Sequence, residues 1–475
     1  MEEYKLLING KREESKDRRE IKAPYDQKLI GVVHFAEKEQ VKRAIASADE
    51  AFKKTKKLSS FERSKILENI SLNIKKRMEE LARSIALQAG KPIKSSRIEV
   101  ERSVDTFQIA SEEAKRLEGE IIPLDLSLQT KERWGLVRRF PLGVISGISP
   151  FNFPLNLVAH KVAPALASGN TMVLRPSSQV PITSIILGEI MLETDLPAGG
   201  VNIVPCGYEA AGILLTDDRV KKVTFTGSPE IGWELKRKAY QKKVTLELGG
   251  NAAVVIEPDT DLRFAIPRTI LGSFSYSGQI CISIQRIFLH EKIYDRFLAD
   301  FVEAAKKLKM GDPLEEDTDV GPMINEDAAI KIEEWVNEAK ENGAHLLCGG
   351  KRNGAMYEPT VLENVKPELR ISWLEAFAPV VVVFPYKDFD EALRGVNYSI
   401  YGLQAGIFTH DLNKAFKAYE ALDVGGVIIN DIPTFRIDHM PYGGVKQSGF
   451  GREGVKYAIE EMTEMKLMAI NLKSV

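Results

Sequence analysis

Only three cysteines, Cys206, Cys281 and Cys348, occur in 475 residues. So few, so widely scattered, they exclude a disulfide framework or a repeated metal-ligand pattern and point to a reducing cytoplasmic setting. An excess of one charge is also missing: 65 Lys and Arg face 67 Asp and Glu, for a formal net charge of -2. With no long basic tract, neither nucleic acid nor an anionic membrane surface is an expected partner. No apolar run approaches the roughly 20 residues that span a bilayer. The N-terminal stretch MEEYKLLINGKREESKDRRE lacks a cationic segment leading into an apolar one, so no signal peptide is expected. Repeats of solenoid period and low-complexity linkers are absent too, which predicts tightly packed domains whose partners are small molecules and like subunits.

The length exceeds what one hydrophobic core usually serves, so two or three domains are expected. From about 38 to 118 apolar residues recur at helical spacing, as in Arg63 to Leu81, and these helices are expected to cover a sheet. The stretch ERWGLVRRFPLGVISGIS then reads as an extended arm followed by a buried strand. Short β-rich runs follow at Thr171 to Leu174, Val201 to Val204, Val223 to Thr226 and Val244 to Leu248, separated by segments beginning near Pro181, Tyr208 and Ser228. Alternation of this kind marks a parallel sheet of βαβ units. A second alternating set, with Ala378 to Phe384, Leu403 to Phe408, Gly426 to Ile429 and a helix over Leu412 to Leu422, reads as a second α/β domain.

Several short motifs are candidates for chemistry. In Phe225-Thr-Gly-Ser-Pro-Glu-Ile-Gly232 a strand gives way to a helix, so backbone N–H groups could receive a pyrophosphate beside Gly227 and Ser228, or Ser228 could simply cap the helix. Cys281 in Gly278-Gln-Ile-Cys281 follows a glycine-containing turn and reads either as a nucleophile or as a small buried hydrophobe. Glu247, in Leu246-Glu-Leu-Gly-Gly250, ends an apolar strand where a carboxylate is costly unless it is functional or hydrogen-bonded. Asn152, in Ser149-Pro-Phe-Asn-Phe-Pro154, either aims its amide at a developing oxyanion or closes an Asx-turn.

Together with Glu375 in Glu-Ala-Phe-Ala-Pro-Val380 and the run Pro441-Tyr-Gly-Gly-Val-Lys-Gln-Ser-Gly449, these motifs stand in the order and approximate spacing of the aldehyde dehydrogenase superfamily. The chain resembles that family from about Leu7 to its end. The resemblance implies an α/β fold with a Rossmann-type parallel-sheet coenzyme domain (1–117 and 142–249), an α/β catalytic domain (250–449) and a β-arm oligomerisation element (118–141 and 450–475). It implies a homodimer or homotetramer in which the arm covers a neighbour's sheet edge. It also implies oxidation of an aldehyde to a carboxylic acid through a thioester on Cys281, with Asn152 and the Cys281 N–H holding the oxyanion and Glu247 activating water. Glu375 and Phe377 match residues that hold the nicotinamide ribose and ring, Ser228 a pyrophosphate contact, and Lys161 a lysine near the active site, or equally a structural ion-pair partner. Ala378 stands where the family usually has glycine, so a local change of backbone is expected there.

The adenosine-ribose motif is Arg175-Pro-Ser-Ser178, whereas the family usually has an acid at the fourth position. Ser178 removes the repulsion of a 2′-phosphate and Arg175 supplies a matching fork, so NADP is expected as coenzyme beside NAD. The sequence is most similar to the branch of lactaldehyde and non-phosphorylating glyceraldehyde-3-phosphate dehydrogenases. By that resemblance Arg102 and Arg436 are candidate ligands for a substrate anion, although Phe153 and Ile280 replace a tyrosine and an arginine of the phosphate-binding members. The expected substrate is a small hydroxyaldehyde or short anionic aldehyde. A CoA-acylating semialdehyde dehydrogenase is the alternative, opposed by Glu247, which that branch lacks. A non-catalytic protein that kept the fold is opposed by the joint retention of Cys281, Glu247, Asn152 and Glu375.

Overall fold

The structure, a computed structural model, describes residues 2–474. Strands that are apolar on both faces are stable only when both faces are covered, which is how the first sheet is built. Its five parallel strands lie side by side in the order Lys243–Glu247, Val220–Thr226, Val144–Ile148, Thr171–Arg175 and Val201–Ile203. The chain runs outward from Val144–Ile148 in both directions, so the strand order reverses between that strand and Val220–Thr226. In a doubly wound sheet a ligand crevice opens at that point, outside the carboxyl ends of the strands. Here those ends are Ile148 and Thr226.

One face packs against the helices Ser60–Lys76, Met78–Ala89, Ile93–Glu113, Asn156–Ala167 and Ile182–Leu192, the other against Lys38–Thr55 and the segments that follow Tyr208 and Pro229. The expected helix through Arg63 to Leu81 is two helices broken at Arg77, whose φ of −103° and ψ of 24° leave the helical region. The first of them starts with a reciprocal cap, in which Ser59 Oγ accepts from the Glu62 N–H at 3.2 Å and Glu62 from the Ser59 N–H at 2.7 Å.

Two antiparallel edges were not anticipated. Leu6–Ile8 and Lys11–Glu13 form a hairpin beside Val201–Ile203, turned at Asn9 and Gly10 with φ of 52° and 71°. At the other edge Gly449–Phe450 pairs with Lys243–Glu247. The helix Val455–Glu461 packs on Asn156–Ala167. The stretch 450–475, grouped with the arm on sequence, therefore divides: its start belongs to the first sheet, and Thr463–Asn471 alone joins the arm.

The second sheet has six parallel strands, Thr360–Glu363, Val380–Tyr386, Ile284–His290, Ala252–Ile256, Gln404–Phe408 and Gly426–Ile429, with His345–Cys348 antiparallel at one edge. The third is the arm: Arg133–Pro141 pairs on one side with Glu120–Pro123 and on the other with Thr463–Asn471, in register from Thr463 opposite Pro141 to Asn471 opposite Arg133. Ile121, Trp134, Met465, Leu467 and Met468 are exposed on it.

Candidate active site

Cys281 is presented by a strained turn. After the helix Leu262–Phe274, Tyr276, Ser277 and Gly278 have φ of 49°, 54° and 66°, a left-handed run that L side chains enter only at a cost of about 1–2 kcal/mol each. Two tertiary bonds hold it: Tyr276 Oη donates to the Ala89 carbonyl at 3.0 Å and Ser277 Oγ to that of Gly321 at 2.7 Å. The turn swings the chain into the strand Ile284–His290 and brings the Cys281 carbonyl against Gly250, where a Cβ would overlap it. The motifs around 247 and 281 are thereby packed backbone to backbone.

Two cavities meet at the sulfur. One opens at the switch point of the first sheet and is lined by Ser149, Phe151, Asn152, Arg175, Ser178, Tyr208, Gly227, Ser228, Glu247, Glu375 and Phe377. The other runs between the helices Ile93–Glu113 and Leu262–Phe274, past Arg102, Phe153, Arg268, Ile280 and Thr434. Cys281, Leu157, Arg436 and Tyr442 line both.

Glu247 is 3 % exposed, and neither carboxylate oxygen has a hydrogen-bond partner among the described residues. The satisfied, structural carboxylate does not hold. Burial, and then the nearby Glu453 carboxylate, push its pKa well above the ordinary carboxylate range. Burial likewise pushes the Cys281 thiol up to about 12, opposed by the Tyr442 hydrogen bond and by Arg436. Asn152 forms no Asx-turn: its Nδ2 donates to the Gln279 carbonyl at 3.0 Å, tying the loop that carries Cys281 and leaving a second N–H.

Lys161 requires a correction. It is wholly buried and lines neither cavity; its ammonium donates to Thr226 at 2.7 Å, Thr224 at 3.3 Å and Glu453 at 3.0 Å. The structural ion pair is the arrangement observed, and Lys161 meets the cleft through Thr226 and Glu453, which both line it. Ser228 stands at the N-cap of the helix Pro229–Lys238, but its side chain makes no cap bond and lines the cleft.

Could this cleft hold a dinucleotide? Glu375 accepts the Gly250 N–H at 2.8 Å, and burial pushes its pKa up to about 7, leaving a half-buried carboxyl with spare acceptor capacity on the cleft wall. Phe377 meets Phe151 edge to face at 5.8 Å, and Arg175 lies over the Tyr208 ring at 5.4 Å. The helix beginning at Pro229 points its free N–H groups into the same space. Acceptors, flat rings, a cation and a helix start suit ribose hydroxyls, planar bases and phosphates, so the residues fit the group. No backbone strain is needed at Ala378, since the left-handed residue is Phe377 with φ of 53°.

In the second cavity Arg102 donates to Asp438 through Nε at 3.2 Å and Nη2 at 2.6 Å. Asp438 also receives Asn156 Nδ2 at 3.1 Å and faces His160 Nε2 at 2.8 Å. Arg436 donates to Glu453 at 3.3 Å, while its Nε and the hydroxyl of Thr434 have no partner among the described residues. Sequence reasoning missed Tyr442, Glu453, Asp438 and Thr434. Tyr442 sits in a run that was singled out, but nothing local says that its hydroxyl meets a sulfur 161 residues away.

Comparison with known proteins decides the family. The sequence profile described as "Aldehyde dehydrogenase family" matches residues 11–468. The chain belongs to the aldehyde dehydrogenase family. It is an enzyme that oxidises aldehydes with NAD or NADP. It is 44% identical over 473 residues to a 3-sulfolactaldehyde dehydrogenase of Priestia megaterium, covering 99% of each chain. It is 42% identical to a lactaldehyde dehydrogenase of Methanocaldococcus jannaschii, over 98% of this chain and 100% of that one. Among solved structures, aldehyde dehydrogenase 21 of Physcomitrella patens, in complex with the reaction product succinate, superposes with a TM-score of 0.98 at 46% identity over 100% of this chain and 99% of that one. The NADP complex of a glyceraldehyde-3-phosphate dehydrogenase of Methanocaldococcus jannaschii does so at 0.92 and 42% identity, over 96% and 100%.

Proposed function

We propose that the chain oxidises a small hydroxyaldehyde or short anionic aldehyde to its carboxylic acid, with Cys281 as nucleophile and Glu247 as the base that hydrolyses the thioester. One observation carries the reading: a thiol at the junction of two cavities, with an unpartnered buried carboxylate in the same cleft. The Cys281 thiolate adds to the aldehyde carbon, and the carbonyl π pair moves to oxygen, where the free Asn152 N–H and the Cys281 backbone N–H would receive it. A bound nicotinamide supplies the hydride acceptor, and Glu375, Phe377, Ser228 and Gly227 would hold the coenzyme. Glu247 takes a proton from water as the water oxygen attacks the thioester, the C–S bond breaks with its pair returning to sulfur, and the acid departs.

Arg102 and Arg436 are proposed to receive the anionic or hydroxylated end of the substrate, helped by the unpartnered Thr434 hydroxyl. The relatives named for lactaldehyde and 3-sulfolactaldehyde, and the neighbour holding succinate, are consistent with such a tail. Arg175 and Ser178 are proposed to admit the 2′-phosphate of NADP. The exposed apolar side chains of the arm are proposed to bury against a second copy, giving a dimer or tetramer. Three unpaired thiols fit a cytoplasmic setting, and no helix among the described residues is long and apolar enough to cross a membrane.

The test is a product assay with hydroxylated and anionic aldehydes, each coenzyme, and coenzyme A present or absent. Free acid is expected in step with reduced coenzyme and without coenzyme A. Acyl-CoA as sole product, or full turnover by Cys281→Ala, would overturn the assignment.

A further inference from the structure

Among the described residues Cys281 has a single side-chain hydrogen-bond partner, the phenol of Tyr442, with 3.0 Å between sulfur and oxygen. That phenol is placed by everything around it. Tyr442 is 3 % exposed, and its backbone exchanges hydrogen bonds with Glu453, at 3.1 Å from the Tyr442 N–H and 2.7 Å from the Glu453 N–H. Its ring lies under the Arg436 guanidinium, 3.7 Å from the centroid. A tyrosine so fixed can offer its O–H in very few directions, and the partner it meets is the sulfur.

We propose that Tyr442 is a catalytic residue that donates its hydroxyl hydrogen bond to the Cys281 thiolate, stabilising the sulfur when it is ionised and aiming it between the two cavities. The proposal rests on the reading of Cys281 as the nucleophile.

Charge appears on this sulfur twice. It is present before the sulfur lone pair forms the C–S bond, and again when hydrolysis breaks that bond and returns the pair to sulfur. In the thioester between those points sulfur is neutral and a poor acceptor, so a fixed donor favours the charged states selectively. Tyr442 keeps its own proton throughout, because burial first, and then the Cys281 and Glu247 charges, hold the phenol well above its ordinary pKa. Arg436 on the ring face strengthens the O–H as a donor by drawing on the π density.

The other charged groups facing the sulfur are Arg436 from the loop after Ile432, Glu375 from the segment before Val380, and Glu247 from the end of its strand. The two acids oppose ionisation of the thiol. Among the described residues facing the sulfur, Arg436 and the phenol favour it, and Arg436 is shared with Glu453. Among the described residues the hydroxyl is thus the favourable contact directed at the sulfur itself.

Tyr442→Phe keeps the ring and its contact with Arg436 and removes only the hydroxyl. The measurement is the rate of Cys281 alkylation by iodoacetamide against pH, read on the peptide by mass spectrometry so that Cys206 and Cys348 are counted apart. The inflection should move to higher pH, with roughly tenfold slower alkylation below it, as loss of one charge-assisted bond implies. Placing 3-fluorotyrosine, a more acidic phenol, at 442 should move the inflection the other way. An unchanged profile in both proteins, or faster alkylation of the phenylalanine variant, would overturn the proposal. Alkylation needs neither aldehyde nor coenzyme, so a shifted profile supports the contact even if the product assay fails. Free acid produced beside an unshifted profile removes Tyr442 and leaves the proposed function standing.

Discussion

Glu247 and Glu453 are two buried carboxylates on the wall of one cleft, and only Glu453 has cations: Lys161 at 3.0 Å and Arg436 at 3.3 Å. Neighbouring acids in unequal surroundings have their pKa values driven apart. Burial acts to raise Glu453, but Lys161, Arg436 and His160 together outweigh it and lower it to about 2, while Glu247 is raised well above the ordinary value. One carboxylate is a permanent anion and the other an acid that must lose its proton before it can act as a base.

The pH dependence follows with opposite signs. Hydrolysis of the thioester should rise with pH as it passes the raised pKa of Glu247, and stopped-flow measurement of acyl-enzyme decay against pH checks this. Glu247→Gln should remove that limb and slow decay by about 10²–10⁴-fold. In stability, Glu453 contributes above the ordinary carboxylate pKa of 4.5, and its contribution is lost as pH falls toward 2. The raised Glu247 acts the other way, costing stability as pH climbs from 4.5 toward its folded value. Melting temperature against pH should therefore drop on the acid side, and Glu453→Gln should flatten that drop.

Lys161→Met should destabilise the protein by about 3–5 kcal/mol, because Glu453 would stay buried with one of its two cations gone. Replacing Glu453 by Gln in the same chain should recover part of this. Chemical denaturation of the single and double variants gives the answer, and additive losses would contradict the pairing.

Arg102→Ala should raise KM for anionic aldehydes at least about tenfold, while neutral short aldehydes change by no more than about twofold, since the lost interaction is with the substrate's charge. Asp438 keeps His160 and Asn156 as partners in this variant, so the cavity wall persists. Steady-state kinetics on a matched charged and neutral pair decide it.

Ser178→Glu should lower kcat/KM with NADP by roughly a hundredfold and leave NAD within a few fold, because the new carboxylate would face a 2′-phosphate and accept ribose hydroxyls. Equal losses with both coenzymes would mean that position 178 does not read the 2′ position.

The parallel strands of the first sheet and three of the second were legible as β-rich runs between turn signals, a pattern set by local periodicity, whereas Ala252–Ile256, Ile284–His290 and Thr360–Glu363 were not read. The hairpin at Asn9 and Gly10 carried its own signal, a dipeptide that favours paired positive φ, and passed unread because its strands are only three residues long. Cys281, Glu247, Asn152 and Glu375 were legible as a set, since family order and spacing survive in one dimension. What their atoms touch was not. Glu247 is unpartnered, Asn152 holds the Gln279 carbonyl and Lys161 lies behind Glu453 because strands, turns and a C-terminal loop converge at the switch point.

By itself, then, the sequence determined the two α/β units, the family and the residue types available for chemistry, all of which rest on short-range patterning. Tertiary structure alone decided which carboxylate is free, which arginine is neutralised and which hydroxyl reaches the sulfur. Burial and charge pairing act through space between residues up to 336 positions apart, as for Arg102 and Asp438, and no local pattern encodes that distance.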